Sequence, residues 1–277
     1  MKSAMRQKIT LLATLSLFSF SIYAQKPSTL ELSLPQKIAD DVSLFTTDIF
    51  GNVLFVNSKN ELKKIDSKQK LVGVYSRRIN STLKIVDVSN PMKIMVYYPD
   101  LLELSVLDNF LSPLFELSFQ QYADAGPLKL ICQSTENGFW IYDELNRSLK
   151  NVNENLDLTR SSGDLYQLLS YLPIPTKIIS YKNQQYLYDI KNGILMFDEF
   201  GTYIKTIPIT GVSDFQVRED EILFSKEKSL LSYNPLTFTI DTLYNFSPLD
   251  LQSVRRENNN LYVLAGKELF LYSIIVK

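Results

Sequence analysis

Val42-Ser43-Leu44-Phe45-Thr46-Thr47 is followed by Asp48-Ile49-Phe50-Gly51-Asn52, then by Val53-Leu54-Phe55-Val56-Asn57, by Glu61-Leu62-Lys63-Lys64-Ile65-Asp66, and by Lys70 to Ser76. Runs of strand length, rich in β-branched, aromatic and aliphatic residues, alternate with polar turns such as Ser58-Lys59-Asn60. That is the signature of four antiparallel strands in succession, with Val42 to Thr47 as the innermost. One such unit has the size of a propeller blade, whose repeat is roughly 40 residues.

The unit recurs along the chain. Glu61 to Asp66 is matched by Glu103 to Asp108, Phe139 to Asp143, Ile194 to Asp198, Leu230 to Asn234 and Leu269 to Ser273, whose closing residues lie 42, 35, 55, 36 and 39 apart. A second series keeps the same phase: Val53 to Val56, Lys93 to Tyr97, Lys129 to Cys132, Tyr186 to Tyr188, Ile222 to Phe224 and Leu261 to Leu264. Six repeats predict an all-β, six-bladed β-propeller. The sixth repeat lacks a fourth strand of its own. Thr29-Leu30-Glu31-Leu32-Ser33-Leu34, apolar at alternate positions, is the spare strand expected to close the ring and cover the open sheet edge.

The long interval points to an insertion over 152–174, between the third and fourth blades. Ser161-Ser162-Gly163-Asp164 has capping-box spacing, Leu165, Leu168, Leu169 and Leu172 follow at helical period, and Pro173 ends the run. The spacing predicts a polar loop and one helix over Asn151 to Leu172. Its apolar stripe is expected either to dock on the propeller rim or, in part, to meet a partner, since insertions in repeat folds gather on the binding face. Arg77-Arg78 and Ser247-Pro248-Leu249 are expected on that same face. Arg77, Arg78, Arg160, Tyr166 and Tyr171 are the candidate partner-binding residues.

The first 24 residues read as a secretory signal peptide: Lys2, Arg6 and Lys8, the uncharged apolar run Ile9 to Ile22, then Ala24 before Gln25-Lys26-Pro27. The run is shorter than the roughly 20 residues needed to span a bilayer. Residues 25–277 then form a single propeller domain. With no sorting domain after the last strand, the expected location is the periplasm. Losing three cations takes the net charge from −1 to about −4, which argues against a nucleic-acid partner.

The chain has no histidine, so serine–histidine and cysteine–histidine pairs are excluded and the commonest transition-metal ligand is missing. The lone Cys132 sits in an apolar run and reads as a buried small hydrophobe. Trp140 reads as core. No phosphate-cradling glycine loop, nucleophile elbow or calcium loop is found. The expectation is therefore a protein that is not an enzyme and uses no cofactor or metal. It would be an interaction module that binds another envelope protein without spanning the membrane. The alternative is a propeller enzyme or binding protein for carbohydrate or a small molecule, working through carboxylates at the channel mouth. Asp40, Asp41, Asp87, Asp124, Asp214 and the Glu219-Asp220-Glu221 run are its candidates. Arg218, Arg255 and Arg256 end inner strands and are expected to bridge to Glu219 and Glu257.

The first blade, Asp48-Ile49-Phe50-Gly51-Asn52-Val53-Leu54-Phe55-Val56-Asn57 with Leu62 and Asp66, resembles the NHL-type propeller repeat. The export segment ending Tyr23-Ala24-Gln25 looks like those of Bacteroidota envelope proteins. Together they make the chain similar to secreted NHL-like six-bladed propellers of that group, among them accessory subunits of the type IX secretion machinery such as the plug subunit of its translocon. That resemblance implies a periplasmic propeller bound to an outer-membrane complex.

Overall fold

The computed structural model describes residues 30–125, 128–212, 214–219 and 221–275. The proposed signal peptide lies outside the described residues. Six four-stranded antiparallel sheets are arranged as the blades of a propeller. A first strand, β1 (Gln36–Ala39), is followed by blade one: β2 (Val42–Thr47), β3 (Val53–Asn57), β4 (Leu62–Ile65) and β5 (Leu71–Tyr75). Blade two is β6 (Ile85–Asp87), β7 (Ile94–Tyr98), β8 (Glu103–Leu107) and β9 (Pro113–Ser118). Blade three is β10 (Ile131–Gln133), β11 (Phe139–Asp143), β12 (Ser148–Val152) and β13 (Leu158–Ser161). After helix α1 (Leu165–Leu169) comes blade four: β14 (Pro175–Tyr181), β15 (Gln184–Asp189), β16 (Gly193–Phe197) and β17 (Tyr203–Ile207). Blade five is β18 (Asp214–Val217), β19 (Ile222–Lys226), β20 (Ser229–Tyr233) and β21 (Ile240–Asn245). Blade six takes β22 (Leu251–Glu257), β23 (Asn260–Ala265) and β24 (Glu268–Ser273) from the end of the chain and β1 from its beginning.

Strand patterns follow from position in the ring. The second strands β3 (VLFVN), β7 (IMVYY) and β11 (FWIYD) are buried at every residue, because each blade has a neighbour on both faces. Outer strands such as β9 (PLFELS) are largely exposed. One apolar cluster fills each gap between blades. Leu54 and Val56 meet Ile94 and Val96 between blades one and two. Trp140 and Tyr142 meet Leu187 and Leu195 between three and four. Val53 and Phe55 meet Tyr262 and Leu264 between one and six, which completes the ring.

The ring is closed by N-terminal chain, but the paired strand is not the expected one. β1 pairs with β24 through Gln36 with Leu271, Lys37 with Phe270 and Ala39 with Leu269. The 30–34 segment touches β24's end at a single bridge, Leu32 with Ile274, while Leu30 and Leu32 pack on the core between blades five and six. Leu34 is 90% exposed. Pro35 has no N–H to give a ladder, and regular pairing begins after it.

Blade three is shifted by one strand from the sequence expectation. Phe139 to Asp143 is its second strand, and Ile131–Gln133 is the inner one. The true third strand, SLKNV, carries Ser148, Lys150 and Asn151, whose polarity hides it; Lys150 forms a 2.5 Å ion pair with buried Asp143. Much of the supposed insertion is therefore blade: β13 pairs with β12 over residues expected to be a loop. With Asn153 as the closing residue, the steps from Asp108 and to Asp198 are both 45, and the irregular interval disappears. What remains of the insertion is α1. It is capped by Asp164 rather than Ser161 and stopped at Ser170, which adopts φ 62° and donates its N–H to Tyr166 O.

Candidate functional site

Six inner strands surround a central channel holding a cavity of about 660 Å³. Because side chains alternate along a strand, every second residue of each inner strand faces it. On the side of blades four, five and six these residues include the charged Lys177, Asp214, Arg255 and Glu257. Asp214, the first residue of β18, lies between Lys177 of β14 and Arg255 of β22. Its Oδ1 pairs with Lys177 Nζ, and its Oδ2 lies 2.5 Å from Arg255 Nη1 and accepts from Ser253 Oγ. Burial works against ionisation of Asp214, yet Arg255 and Lys177 prevail and hold its carboxyl well below the usual range. Burial pulls the Lys177 ammonium down, and Asp214 offsets only part of that.

Further along the channel, Glu257 accepts hydrogen bonds from Thr47 Oγ1 (2.7 Å) and Gln216 Nε2 (2.9 Å), and burial pushes its carboxyl up. Arg218 and Arg256 share Glu221 at 3.5 and 3.3 Å. The arginines thus do form ion pairs, but with Asp214 and Glu221 rather than Glu219 and Glu257; Glu219 reaches outward to Lys182 at 2.8 Å. Leu44, Ile85 and Val86 from blades one and two, and Ile179 two residues on from Lys177, also line the cavity and are partly buried, beside Lys84, Asp87 and Thr46.

The carboxylate candidates scatter. Asp87 and Asp214 line the channel, and Asp87 Oδ2 accepts from Gln133 N at 2.8 Å. Asp40 and Asp41 sit in the connector from β1 into β2, held by Lys37 and by Ser58. Asp220 and the side chain of Asp124 lie outside the described residues. Lys177 was not singled out from sequence. Its signal was available: a lone cation in an otherwise uncharged strand, PTKIISY.

A second feature lies on the face formed by the connectors from outer to inner strands. Arg147, in the turn after β11, forms an ion pair with Asp164 and accepts the N–H of Leu165 at 2.8 Å through its carbonyl. Arg147 and the N–H of Tyr166 hold the Asp164 carboxyl down at about 2. On the other side, Ile174 N donates to Asp189 Oδ2 at 2.7 Å, joining the connector to the turn that carries Ile190. Leu165 is fully buried and Leu169 partly so. Leu145, Tyr166, Leu168, Leu172, Ile174 and Ile190 are left about half exposed or more, on one hydrogen-bonded frame. The leucine stripe is thus divided between the propeller's own core and solvent.

The five candidate partner-binding residues are not brought together. Arg77 pairs with Glu103 at 2.9 Å and lies over the Tyr98 ring, and Arg78 is exposed in the same connector. Tyr166 belongs to the apolar patch, and Tyr171 lies in the same connector, partly buried. Arg160 belongs to β13 and points to the opposite end of the blade, pairing with Glu136 at 2.6 Å and covering the Phe200 ring. Cys132 and Trp140 are buried, and burial raises the Cys132 thiol well above its ordinary value. Among the described residues no helix is long and apolar enough to cross a membrane, and no three His, Cys, Asp or Glu side chains are grouped to hold a metal.

No protein-family model and no curated protein matches the chain. Solved structures do match it in fold. A catalytically inactive virginiamycin B lyase from Staphylococcus aureus, with quinupristin, aligns with TM-score 0.56 at 12% identity over 86% of this chain and 82% of its own. The WD40 domain of Neurospora crassa Pan2 aligns with TM-score 0.56 at 9% identity, over 85% and 76%. The extracellular domain of a putative hybrid two-component system from B. thetaiotaomicron gives 0.56 at 15% identity, over 84% of this chain and 33% of that one. The lyase corrects the expectation that the chain is not an enzyme. The same fold carries catalysis in that protein, so missing motifs drawn from other folds exclude nothing. At these identities the likeness is one of fold, and the fold is the β-propeller.

Proposed function

We propose that this protein is a periplasmic β-propeller that binds another envelope protein through the connector face around α1. The observation that carries the proposal is the apolar patch of Leu145, Tyr166, Leu168, Leu172, Ile174 and Ile190. Exposed leucines scattered singly are ordinary, but six large apolar side chains on one rigid frame mark an interaction surface. The patch has the composition of an interface core. The finer assignment, an accessory plug-like subunit of the type IX secretion translocon, is supported by the resemblance of the first blade and of the export segment.

The test is affinity purification of tagged protein from detergent-solubilised envelope, comparing Leu168→Asp/Leu172→Asp with Phe110→Ser. Phe110 is exposed in the turn after β8, at the other end of the ring. The double variant is expected to fold normally and to lose a stoichiometric membrane partner by roughly tenfold or more in affinity, while F110S keeps it. Recovery of the partner with L168D/L172D, or no stoichiometric partner with the unaltered protein, overturns the reading.

A further inference from the structure

The channel wall carries four cations and four carboxylates, so a ligand that complements it has no net charge. The two signs are nevertheless set at different levels. Every inner strand runs from the connector end toward the turn end, so a residue's place in its strand gives its level in the channel. Toward the connector end, Asp214 opens β18 and is shared by Lys177 and Arg255. Lys84, just ahead of β6, lines the same end. Toward the turn end the carboxylates are held by neutral donors. Asp87, which ends β6, accepts the N–H groups of Ser89 and Gln133, both at 2.8 Å. Glu257, which ends β22, accepts from Thr47 and Gln216, and both bonds fall on Oε1, which leaves Oε2 for the cavity. Burial pushes the Glu257 carboxyl up although Arg218 and Arg255 act against the rise. The other charges of this end are taken up among themselves: Arg218 and Arg256 meet Glu221, and Glu219 meets Lys182. Gln216, the partner of Glu257, stands two residues from Asp214 in β18, so the two levels are roughly 7 Å apart. The cavity of about 660 Å³ falls within the roughly 300–1,000 Å³ usual for small-molecule sites.

We propose that the channel binds a zwitterion along its axis, a peptide of two or three residues with both termini free. Its carboxylate faces Lys84, Lys177 and Arg255 at the connector end. Its ammonium sits among Asp87, Thr46 and Glu257 Oε2 at the turn end. An ammonium has three donors and no acceptor, and these three side chains offer an acceptor each from the consecutive blades two, one and six. An extended chain advances roughly 3.3 Å per residue, so two or three residues bridge the two levels. A simple acid or a simple amine would answer one level and bring an uncompensated charge into a balanced wall. This site lies in the channel and is independent of the connector face and of the identity of any protein partner.

Titration calorimetry on the whole mature protein tests the assignment with dialanine as the probe. Its N-acetyl form, which lacks the ammonium, and its C-terminal amide, which lacks the carboxylate, are the controls. Dialanine is expected to bind at one site, with each blocked form weaker by roughly tenfold or more. Glu257→Gln should weaken dialanine and its amide by a similar factor and leave the acetyl form unchanged. Lys84→Met should do the reverse, weakening dialanine and the acetyl form while the amide is unchanged. That crossed pattern cannot come from misfolding, which lowers all three together. No binding of dialanine at millimolar concentration, blocked forms that bind as tightly as dialanine, or variants that weaken all three alike with an unchanged thermal midpoint, overturn the proposal.

Discussion

The two ends of the ring are built on different terms. At the end where inner strands turn outward, one device recurs: a side-chain oxygen of Asp48, Asp66, Asp108, Asn153 or Asp198 accepts the N–H groups two and four residues on. Each turn faces the same backbone problem, so each finds the same solution. At the other end the turns between second and third strands are capped as well, Asn57 Oδ1 accepting from Lys59 N and Glu61 N, and only the connectors vary freely, because a connector need only reach the next inner strand. One contains a 3-10 helix over Gln120–Ala125, and another contains α1 with its exposed leucines. In a repeat fold, surface free of the repeat's own needs is surface available for recognition.

The sharpest way to break that contrast is to remove one cap. Asp48 does more than cap its turn: with Lys64 it forms a buried pair at 3.7 Å, and Lys64 Nζ also donates to the Asn109 carbonyl of blade two at 3.1 Å. Asp48→Ala should cost about 4 kcal/mol, because it strands a buried cation as well as freeing the turn. The same change at half-buried Asp198, where the cap stands alone, should cost about 1 kcal/mol. Urea denaturation of both variants checks the ratio, and equal losses would show that the turns rather than the buried pair carry the effect. At the connector end, Leu165→Ala should cost about 3 kcal/mol as a cavity, whereas Leu168→Ala should stay within about 0.5 kcal/mol. A comparable loss at both positions would mean that α1 buries its whole stripe.

The smallest effect concerns pH. Asp164 has a lowered folded-state carboxyl, about 2, so its contribution is fully present above its unfolded value near 4 and is lost as pH falls toward about 2. The difference in thermal midpoint between the protein and Asp164→Asn should therefore be constant above about pH 5 and shrink as the pH drops below 4. A difference that stays constant down to pH 2 would remove Arg147 as the partner that anchors the helix.

Strand periodicity made most of the fold legible, because buried second strands are apolar at every position and turns are polar. It failed where burial and polarity part company. Lys150, Asn151 and Ser148 occupy a well-packed third strand, and the partners of Lys150 and Asn151, Asp143 and Phe139 O, come from the neighbouring strand, which no local pattern reveals. Pro35 was the signal for where regular closure begins, outweighed by the tidy alternation of residues 29–34. Of the channel wall, Asp214 and Arg255 were noticed singly. Their convergence with Lys177 depends on three strands of three different blades meeting in space, which spacing along the chain cannot express. The apolar patch was half legible: the leucine period was read, while the split between buried Leu165 and exposed Leu168 is set by the tether of Arg147 to Asp164.

The seam between β1 and β24 also dictates an order of events. A chain emerging from its N-terminus makes Gln36–Ala39 first and Glu268–Ser273 almost last, so the earliest strand waits for the latest before it has a partner. Every other blade is closed by hairpins between sequence neighbours and can form as it appears. Until the seam zips, blade six offers a bare strand edge and the inner strands are free to spread. The pairing of β1 with β24 is thus the last contact of the ring that the growing chain can make.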